Sequence, residues 1–302
     1  MPYVLLADRA VLRLSGADTR EFLQGLITND VDRVTPRRAG YAALLTPQGK
    51  YLFDFFIAQQ GEALLLDCEA ARAGELLKRL KLYRLRAKVE IEDISENVSV
   101  AALFDDDIAD DMALSHEEGA ARNEGEVCLY IDPRLADAGV RAILPKKRAA
   151  AYFEAMGYVS AGLADYDEHR LRLGLPDGSR DLAVDKAIVV ESNFEELHGV
   201  DFKKGCYVGQ ELTARTKYRG LVRRKLLAVE VSGPLPQPGT QITLDGKDAG
   251  TVQSGRGSRA MALLRLEPLQ QVLDAGAELT AGEARLRPIV PDWLKLELPQ
   301  AR

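Results

Sequence analysis

The sequence predicts an α+β protein with a small β-barrel as its C-terminal part. Two apolar strand-like runs followed by a helix occur near the amino terminus, and the same order returns after residue 126. Such a repeat suits two α+β units with helices packed on antiparallel sheets. Beyond Gly220 the pattern changes to short strands at 226–231, 241–244, 249–253, 260–266 and 284–286. They are punctuated by Pro234, Pro236, Pro238-Gly239, Asp245-Gly246 and the glycines of 255–257, the mark of a small barrel. With 302 residues, two or three packed units are expected. The division read from the sequence is 1–221, holding α+β units at about 1–104 and 127–221 whose interleaving is left open, and 222–302 for the barrel.

Residues 3–6 and 11–14 read as paired strands, after which Gly16-Ala17-Asp18 opens a helix with Phe22, Leu23, Leu26 and Ile27 on one face. The far end of that helix delivers Gln24, Thr28, Asn29 and Asp30, short polar groups suited either to a ligand ring or to capping the next turn. Segments 41–45 and 51–57 flank a Pro and Gly turn at 46–50 and read as a hairpin. A strand at 63–66 precedes a helix at 69–82 with Leu76, Leu77 and Leu80 at helical spacing. Lys78, Arg79, Lys81, Arg84, Arg86 and Lys88 follow one another with no acidic residue between them, a pattern read mainly as a hydrated face. Segments 89–91 and 98–104 resume the strand pattern. The acidic stretch 105–126 reads as a surface excursion, and Asp105-Asp106-Asp107 lacks the spacing of a calcium loop. Strands at 127–131 and 140–144, a helix at 146–156 ended by Gly157, and a helix at 166–173 carrying His169 and Arg170 complete the α+β region.

The formal charge of −6 argues against a broad basic face for nucleic acid, so no direct nucleic-acid partner is expected. Cys68, Cys128 and Cys206 are far apart and form no C-x-x-C pair, which excludes a disulfide framework and an ordinary protein-only metal or iron–sulfur ligand set. They point to a reducing compartment. The residues after Met1 show no basic region followed by an apolar stretch, and no run approaches the ~20 apolar residues that span a bilayer. The expectation is a cytoplasmic protein with no membrane partner.

The chemistry concentrates in Lys203-Lys204-Gly205-Cys206-Tyr207-Val208-Gly209-Gln210-Glu211. A thiol lies between two glycines, with two lysines before it and Arg215, Lys217 and Arg219 after it. Backbone can approach a ligand closely there, the local field favours anions, and the thiol should have more thiolate character than a buried one. The alternative is a tight turn with a packed cysteine and solvated bases.

The run from Val200 to Arg215 resembles the K-G-C-[YF]-x-G-Q-E signature of the YgfZ family, folate-binding iron–sulfur maturation proteins related to the glycine-cleavage T-protein. Further matches lie at 22–30, 45–54, 83–89, 169–170 and 174–176, so the resemblance covers nearly the whole chain in order. It implies a ring of two ferredoxin-like α+β units and a barrel. It also implies tetrahydrofolate or a one-carbon derivative as cofactor, and iron–sulfur client or assembly proteins as partners. The implied function is an accessory role in assembly or repair of iron–sulfur proteins, with indirect effects on tRNA modification. The implied folate site takes in Gln24, Asn29, Glu191, Phe202, Lys204, Gly205, Tyr207, Gly209, Gln210, Glu211 and Arg215. In it Asn29 and Gln24 would face the polar ring, Tyr207 and Phe202 would form a wall, and Arg215 or Lys204 would meet the carboxylate tail. Cys206 would act as a redox-active thiol or a transient ligand shared with a partner.

One departure weakens a transferase reading. Arg172 stands where the T-protein family carries a pterin-binding glutamate, which leaves Glu191 as another candidate for that role. An aminomethyl or one-carbon transferase is therefore the alternative. A cysteine hydrolase would need a base to orient Cys206; His198 lies eight residues earlier, without a papain-like or caspase-like signature.

Overall fold

The computed structural model describes residues 1–104, 108–296 and 298; the three-aspartate run Asp105-Asp106-Asp107 lies outside them. In chain order the elements begin with β1 (Pro2–Leu5), β2 (Arg9–Ser15), α1 (Thr19–Gln24), β3 (Gly40–Leu45), β4 (Tyr51–Gln60), β5 (Ala63–Glu69), α2 (Ala70–Arg84), β6 (Glu90–Asp93) and β7 (Val98–Leu103). Then come α3 (Ile108–Asp111), β8 (Ala121–Glu124), β9 (Val127–Ile131), β10 (Val140–Pro145), α4 (Ala149–Glu154), β11 (Val159–Ser160), α5 (Leu163–Leu173), α6 (Gly178–Asp181) and α7 (Gln210–Tyr218). The chain continues through β12 (Arg224–Ser232), β13 (Gln241–Leu244), β14 (Lys247–Arg256), β15 (Arg259–Arg265), α8 (Leu266–Ala275), β16 (Leu279–Ala281) and β17 (Ala284–Ile289).

These elements form two compact units. The first comprises Met1–Gln48, Leu52–Tyr166 and Leu197–Gln210; the second comprises Gly49–Tyr51, Asp167–Glu196 and the chain from Glu211 onward. The first unit holds a five-stranded sheet in the order β3-β4-β5-β2-β6 and a six-stranded sheet in the order β11-β1-β7-β10-β9-β8. The turn at 46–50 joins β3 to β4, which are neighbours in the sheet. β1 and β2, however, do not pair with each other. β1 lies antiparallel to β7 and parallel to β11, while β2 lies between β5 and β6. The chain thus enters the six-stranded sheet, leaves it for the other, and returns at β7, because the partners that match β1 in register come about a hundred residues later.

Segment 108–114 also differs from the surface reading. Ile108, Ala109, Met112 and Leu114 are buried in a core with Tyr3, Leu103 and Phe153. Its short helix is acidic on the outside, and that composition hides the four apolar anchors from a periodicity argument.

Charged residues tie the two sheets of the first unit together. Arg9 Nε reaches Asp67 Oδ1 at 2.7 Å from β2, and Arg141 Nη2 reaches Asp67 Oδ2 at 2.5 Å from β10. Arg141 also lies over the Phe56 ring, 4.0 Å from its centroid, and donates to the Tyr166 hydroxyl at 3.0 Å. Burial alone would raise the Asp67 carboxyl, but the two guanidiniums hold it below the ordinary carboxylate range. An ion set of this kind is specific rather than strongly stabilising, since desolvation offsets much of the attraction.

The second unit carries the closed barrel β12-β15-β14-β13-β16-β17. Leu227, Val229, Ile242, Val252, Leu264 and Leu286 fill it, and α8 adds Leu266, Leu269 and Val272 to the same core. In that unit Arg170, at the end of α5, is enclosed by Asp167 Oδ1 at 2.6 Å, Asp181 Oδ2 at 2.9 Å and Ser254 Oγ at 2.7 Å. Asp181 Oδ1 in turn accepts from Ser254 Oγ at 2.5 Å, so β14 is held to α5 and α6 through one guanidinium.

Candidate functional site

The motif begins in a loop whose geometry follows from Asp201. Its Oδ1 accepts from the backbone N–H groups of Lys203 at 2.6 Å and Lys204 at 3.2 Å, an Asx-type turn, and its Oδ2 pairs with Arg33 at 2.9 Å. The Asp201 N–H donates to the Thr28 carbonyl at 3.0 Å. Thr28 Oγ1 donates to the Gly199 carbonyl at 2.6 Å and accepts from the Ala43 N–H at 2.8 Å. The loop is therefore stitched to the segment that follows α1.

Lys204 completes the attachment. Its ammonium donates to the carbonyls of Gln24 at 2.9 Å, Ile27 at 2.7 Å and Asn29 at 2.8 Å, all three of its protons being engaged. The ammonium also lies 5.2 Å from the centroid of the buried Tyr207 ring. Burial pushes Lys204 down to about 8, while Asp30, Asp201 and Asp32 pull the other way.

The amides expected to face a pterin serve the same scaffold. Gln24 Nε2 donates to Asp30 Oδ1 at 2.8 Å, and its Oε1 accepts from the Val31 N–H at 2.9 Å. Asn29 Nδ2 donates to the carbonyls of Tyr41 at 2.8 Å and His198 at 2.6 Å, and its Oδ1 accepts from the Asp30 N–H at 2.8 Å. The capping alternative describes both. In the structure the polar atoms of Gln24, Asn29 and Lys204 bind the chain itself, and Lys204 meets three carbonyls. Thr28 is part of that lock, in line with the capping alternative, and so are Asp201 and Arg33, which sequence reasoning passed over; the Asp-x-Lys spacing was the available signal.

What this lock presents is Gly205-Cys206. Both residues are exposed, and a Cβ placed on Gly205 would meet nothing within 4 Å. Gly209, by contrast, has φ +84°, a left-handed turn into α7 that glycine takes without strain. Phe202 and Gln210 are half-buried at the loop's edges. Cys68 and Cys128 are buried on β5 and β9, and burial pushes both thiols up to about 12. Cys206 is the exposed thiol of the three.

The remaining candidates belong to the second unit. Glu191 is half-buried; its Oε1 accepts from the Arg223 N–H at 3.4 Å and its carbonyl accepts from Leu226 N–H at 2.9 Å. Glu211 and Arg215 are exposed on α7. Lys217 of the same helix pairs with Glu195. Arg172 is exposed and its Nη2 lies 3.1 Å from His169 Nδ1, a local pair on α5. No hydrogen bond among the described residues joins the His198 ring to Cys206, so the hydrolase arrangement is not built.

Two parts of the chain match known families. Residues 9–104 match the GCVT N-terminal domain, and residues 223–296 match the CAF17 C-terminal beta-barrel domain. The human iron-sulfur cluster assembly factor IBA57, mitochondrial, is 36% identical over 306 residues, covering 95% of this chain and 84% of the human protein. The chain belongs to the CAF17/IBA57 family. The mouse IBA57 is 34% identical with the same coverage, and an IBA57 homolog from Coccidioides immitis is 30% identical over 97% of this chain and 83% of that one. The YgfZ placement is corrected accordingly: the motif resembles that family's, but the relatives that match over the full length are IBA57 proteins. A crystal structure of glycine cleavage system aminomethyltransferase T from Bartonella henselae superposes with a TM-score of 0.77 at 16% identity, covering 98% of this chain and 87% of that one. The CAF17/IBA57 chain therefore has the T-protein-like fold with a closed six-stranded C-terminal barrel. The expectation of a cytoplasmic protein is overturned by the relatives' names, each of which is mitochondrial. A compartment was read from the first residues and from isolated cysteines, and neither feature distinguishes cytosol from another reducing space.

Proposed function

We propose that this chain is an iron–sulfur cluster assembly factor that acts through Cys206. The observation that carries the reading is the exposed Cys206 on a loop fixed from beneath by Lys204 and Asp201, in a chain whose full-length relatives are named iron-sulfur cluster assembly factors. A rigid support under an accessible thiol is what a transient ligand or redox-active group needs, because the sulfur is presented without first ordering the loop. One thiol supplies one ligand where common clusters take four, so the cluster is cargo shared with a partner protein that brings the others.

Reduced-folate binding, and with it an indirect effect on tRNA modification, is the finer part of the proposal and rests on the resemblance of the motif. Gln24, Asn29 and Lys204 do not fit a pterin as contacts, since their polar atoms are engaged within the chain. A folate would have to be held by other residues, with Glu191, Gln210, Glu211 and Arg215 among the remaining polar candidates. Anaerobic calorimetry with tetrahydrofolate tests this part: heat of binding below a millimolar dissociation constant, about −4 kcal/mol, supports it and its absence ends it.

The central part is tested by activating a cluster-dependent apo-enzyme with the purified chain under nitrogen. Cys206→Ser should abolish the stimulation and Cys68→Ser should leave it unchanged. Equal stimulation by wild type and Cys206→Ser contradicts the proposal.

A further inference from the structure

Six cations and two leucines crowd the end of α2. The stretch from Leu76 to Val89 contains Lys78, Arg79, Lys81, Arg84, Arg86 and Lys88, and its other residues are only Leu, Tyr, Ala and Val. The helix buries Ala73, Leu76 and Leu80, which turns Lys78, Lys81 and Leu82 to water. Leu82 is 73% exposed and Leu85 86%, the two most exposed large apolar side chains among the described residues. Leu85 follows the last helical residue with φ +46°. A positive φ of this size is one that glycine takes without strain, so leucine is here in a strained backbone while its side chain stays exposed.

Most of the cations are engaged as little as the leucines. Lys78, Lys81, Arg86 and Lys88 form no side-chain hydrogen bond or ion pair among the described residues, and Arg84 reaches only the Val89 carbonyl at 3.4 Å. The acids at the margins are partly engaged: Glu75 pairs with Arg72, and Asp18 Oδ2 accepts from the Lys88 N–H. Glu90 opens β6 beyond them. The result is a local cationic tip on a chain of net charge −6.

Three kinds of surface attract such a tip, and its composition separates them. A nucleic acid would meet the cations but has no apolar layer for Leu82 and Leu85. The core of a protein interface is depleted in lysine, of which this stretch carries three, and draws its apolar area largely from aromatic side chains, whereas the most exposed apolar groups here are two leucines. An anionic lipid surface accepts both parts, the leucines below the head groups and the long cationic side chains at the phosphates.

We propose that the end of α2 is a peripheral docking site for an anionic phospholipid bilayer, with Leu82 and Leu85 inserted and Lys81, Arg86 and Lys88 at the head groups. Docking of this kind differs from crossing: no helix among the described residues is long and apolar enough to span a membrane. It also departs from the expectation of no membrane partner, which rested on the lack of a spanning run. Each cation brought to the surface strengthens partition roughly fivefold, and each inserted leucine roughly tenfold, so the tip is enough for reversible binding without a lipid anchor.

Flotation of the full chain with vesicles tests the site. The chain should float with phosphatidylcholine vesicles containing about a third phosphatidylserine and not with phosphatidylcholine alone, and added salt should weaken the binding. Leu85→Gly keeps the backbone conformation while removing the apolar group, so its melting temperature should not fall although its partition drops roughly tenfold. Lys81→Glu with Arg86→Glu should lower partition by on the order of a hundredfold. Failure to float with the anionic vesicles overturns the proposal, as does equal flotation with neutral ones or indifference to both variants. Binding of a single-stranded RNA that the charge reversal abolishes and Leu85→Gly leaves intact, with no flotation, would assign the tip to nucleic acid instead.

Discussion

In the second unit Arg170 is enclosed by Asp167, Asp181 and Ser254; in the first, Lys204 is enclosed by three carbonyls, yet the two residues after it, Gly205 and Cys206, are exposed. Both arrangements use a buried cation to hold segments distant in sequence. The Arg170 cluster holds only framework, because its acceptors are the groups it was built to join. The Lys204 cluster holds framework on one side and a thiol on the other. The difference teaches that the cationic residue of the motif is support, and that the chemistry belongs to its exposed neighbour.

Breaking the first cluster should have the largest effect. Arg170→Leu leaves Asp181 buried without its cation and strips Asp167 of one of its guanidiniums, with Arg180 and Arg256 remaining, and should cost about 3–5 kcal/mol in a denaturant melt. The same cluster sets a pH dependence. Burial alone would raise the Asp167 carboxyl, but Arg180 and Arg170 hold it at about 2 against an ordinary 3.8. Its folded value lies below its unfolded one, so its contribution is complete above 3.8 and is lost as pH falls to about 2. A melt series across that window should show the second unit weakening, and Asp167→Asn should flatten the acid limb.

Lys204→Met should come next. Three carbonyls lose their donor, at about 2–3 kcal/mol, and amide hydrogen exchange at residues 203–208 should speed up because the loop's anchor is gone. If stability and exchange are both unchanged, Lys204 is not the support claimed for it. The two glycines sharpen the contrast further. Gly209→Ala forces a side chain into φ +84° and should cost about 1–2 kcal/mol, whereas Gly205→Ala meets open space and should stay within about 0.5 kcal/mol.

The legible part of this chain was local. The barrel strands could be read because proline and glycine mark their ends, and the burial of Cys68 and Cys128 because each lies in or next to an apolar strand. The exposed state of Cys206 followed from its glycines and charged neighbours. What could not be read was which distant segment completes each site. The bond from Thr28 to Gly199 spans 171 residues, and the Lys204 bond to Gln24 at the end of α1 spans 180. Residue type suggested Gln24, Asn29 and Lys204 as ligand contacts, since a free amide or ammonium looks the same in sequence as one engaged by backbone. The separation of β1 from β2 was hidden for the same reason: both are good strands, and only the later arrival of β7 decides which sheet each joins.

The most direct measurement of the central claim is competitive alkylation of the native chain at limiting reagent, followed by peptide mapping of the three cysteines. Cys206 should label first and completely, while Cys68 and Cys128, buried and pushed up to about 12, should label only when the chain is unfolded. Cys206 labelling no faster than the other two would contradict the account, because the motif would then be a turn and not a presented thiol.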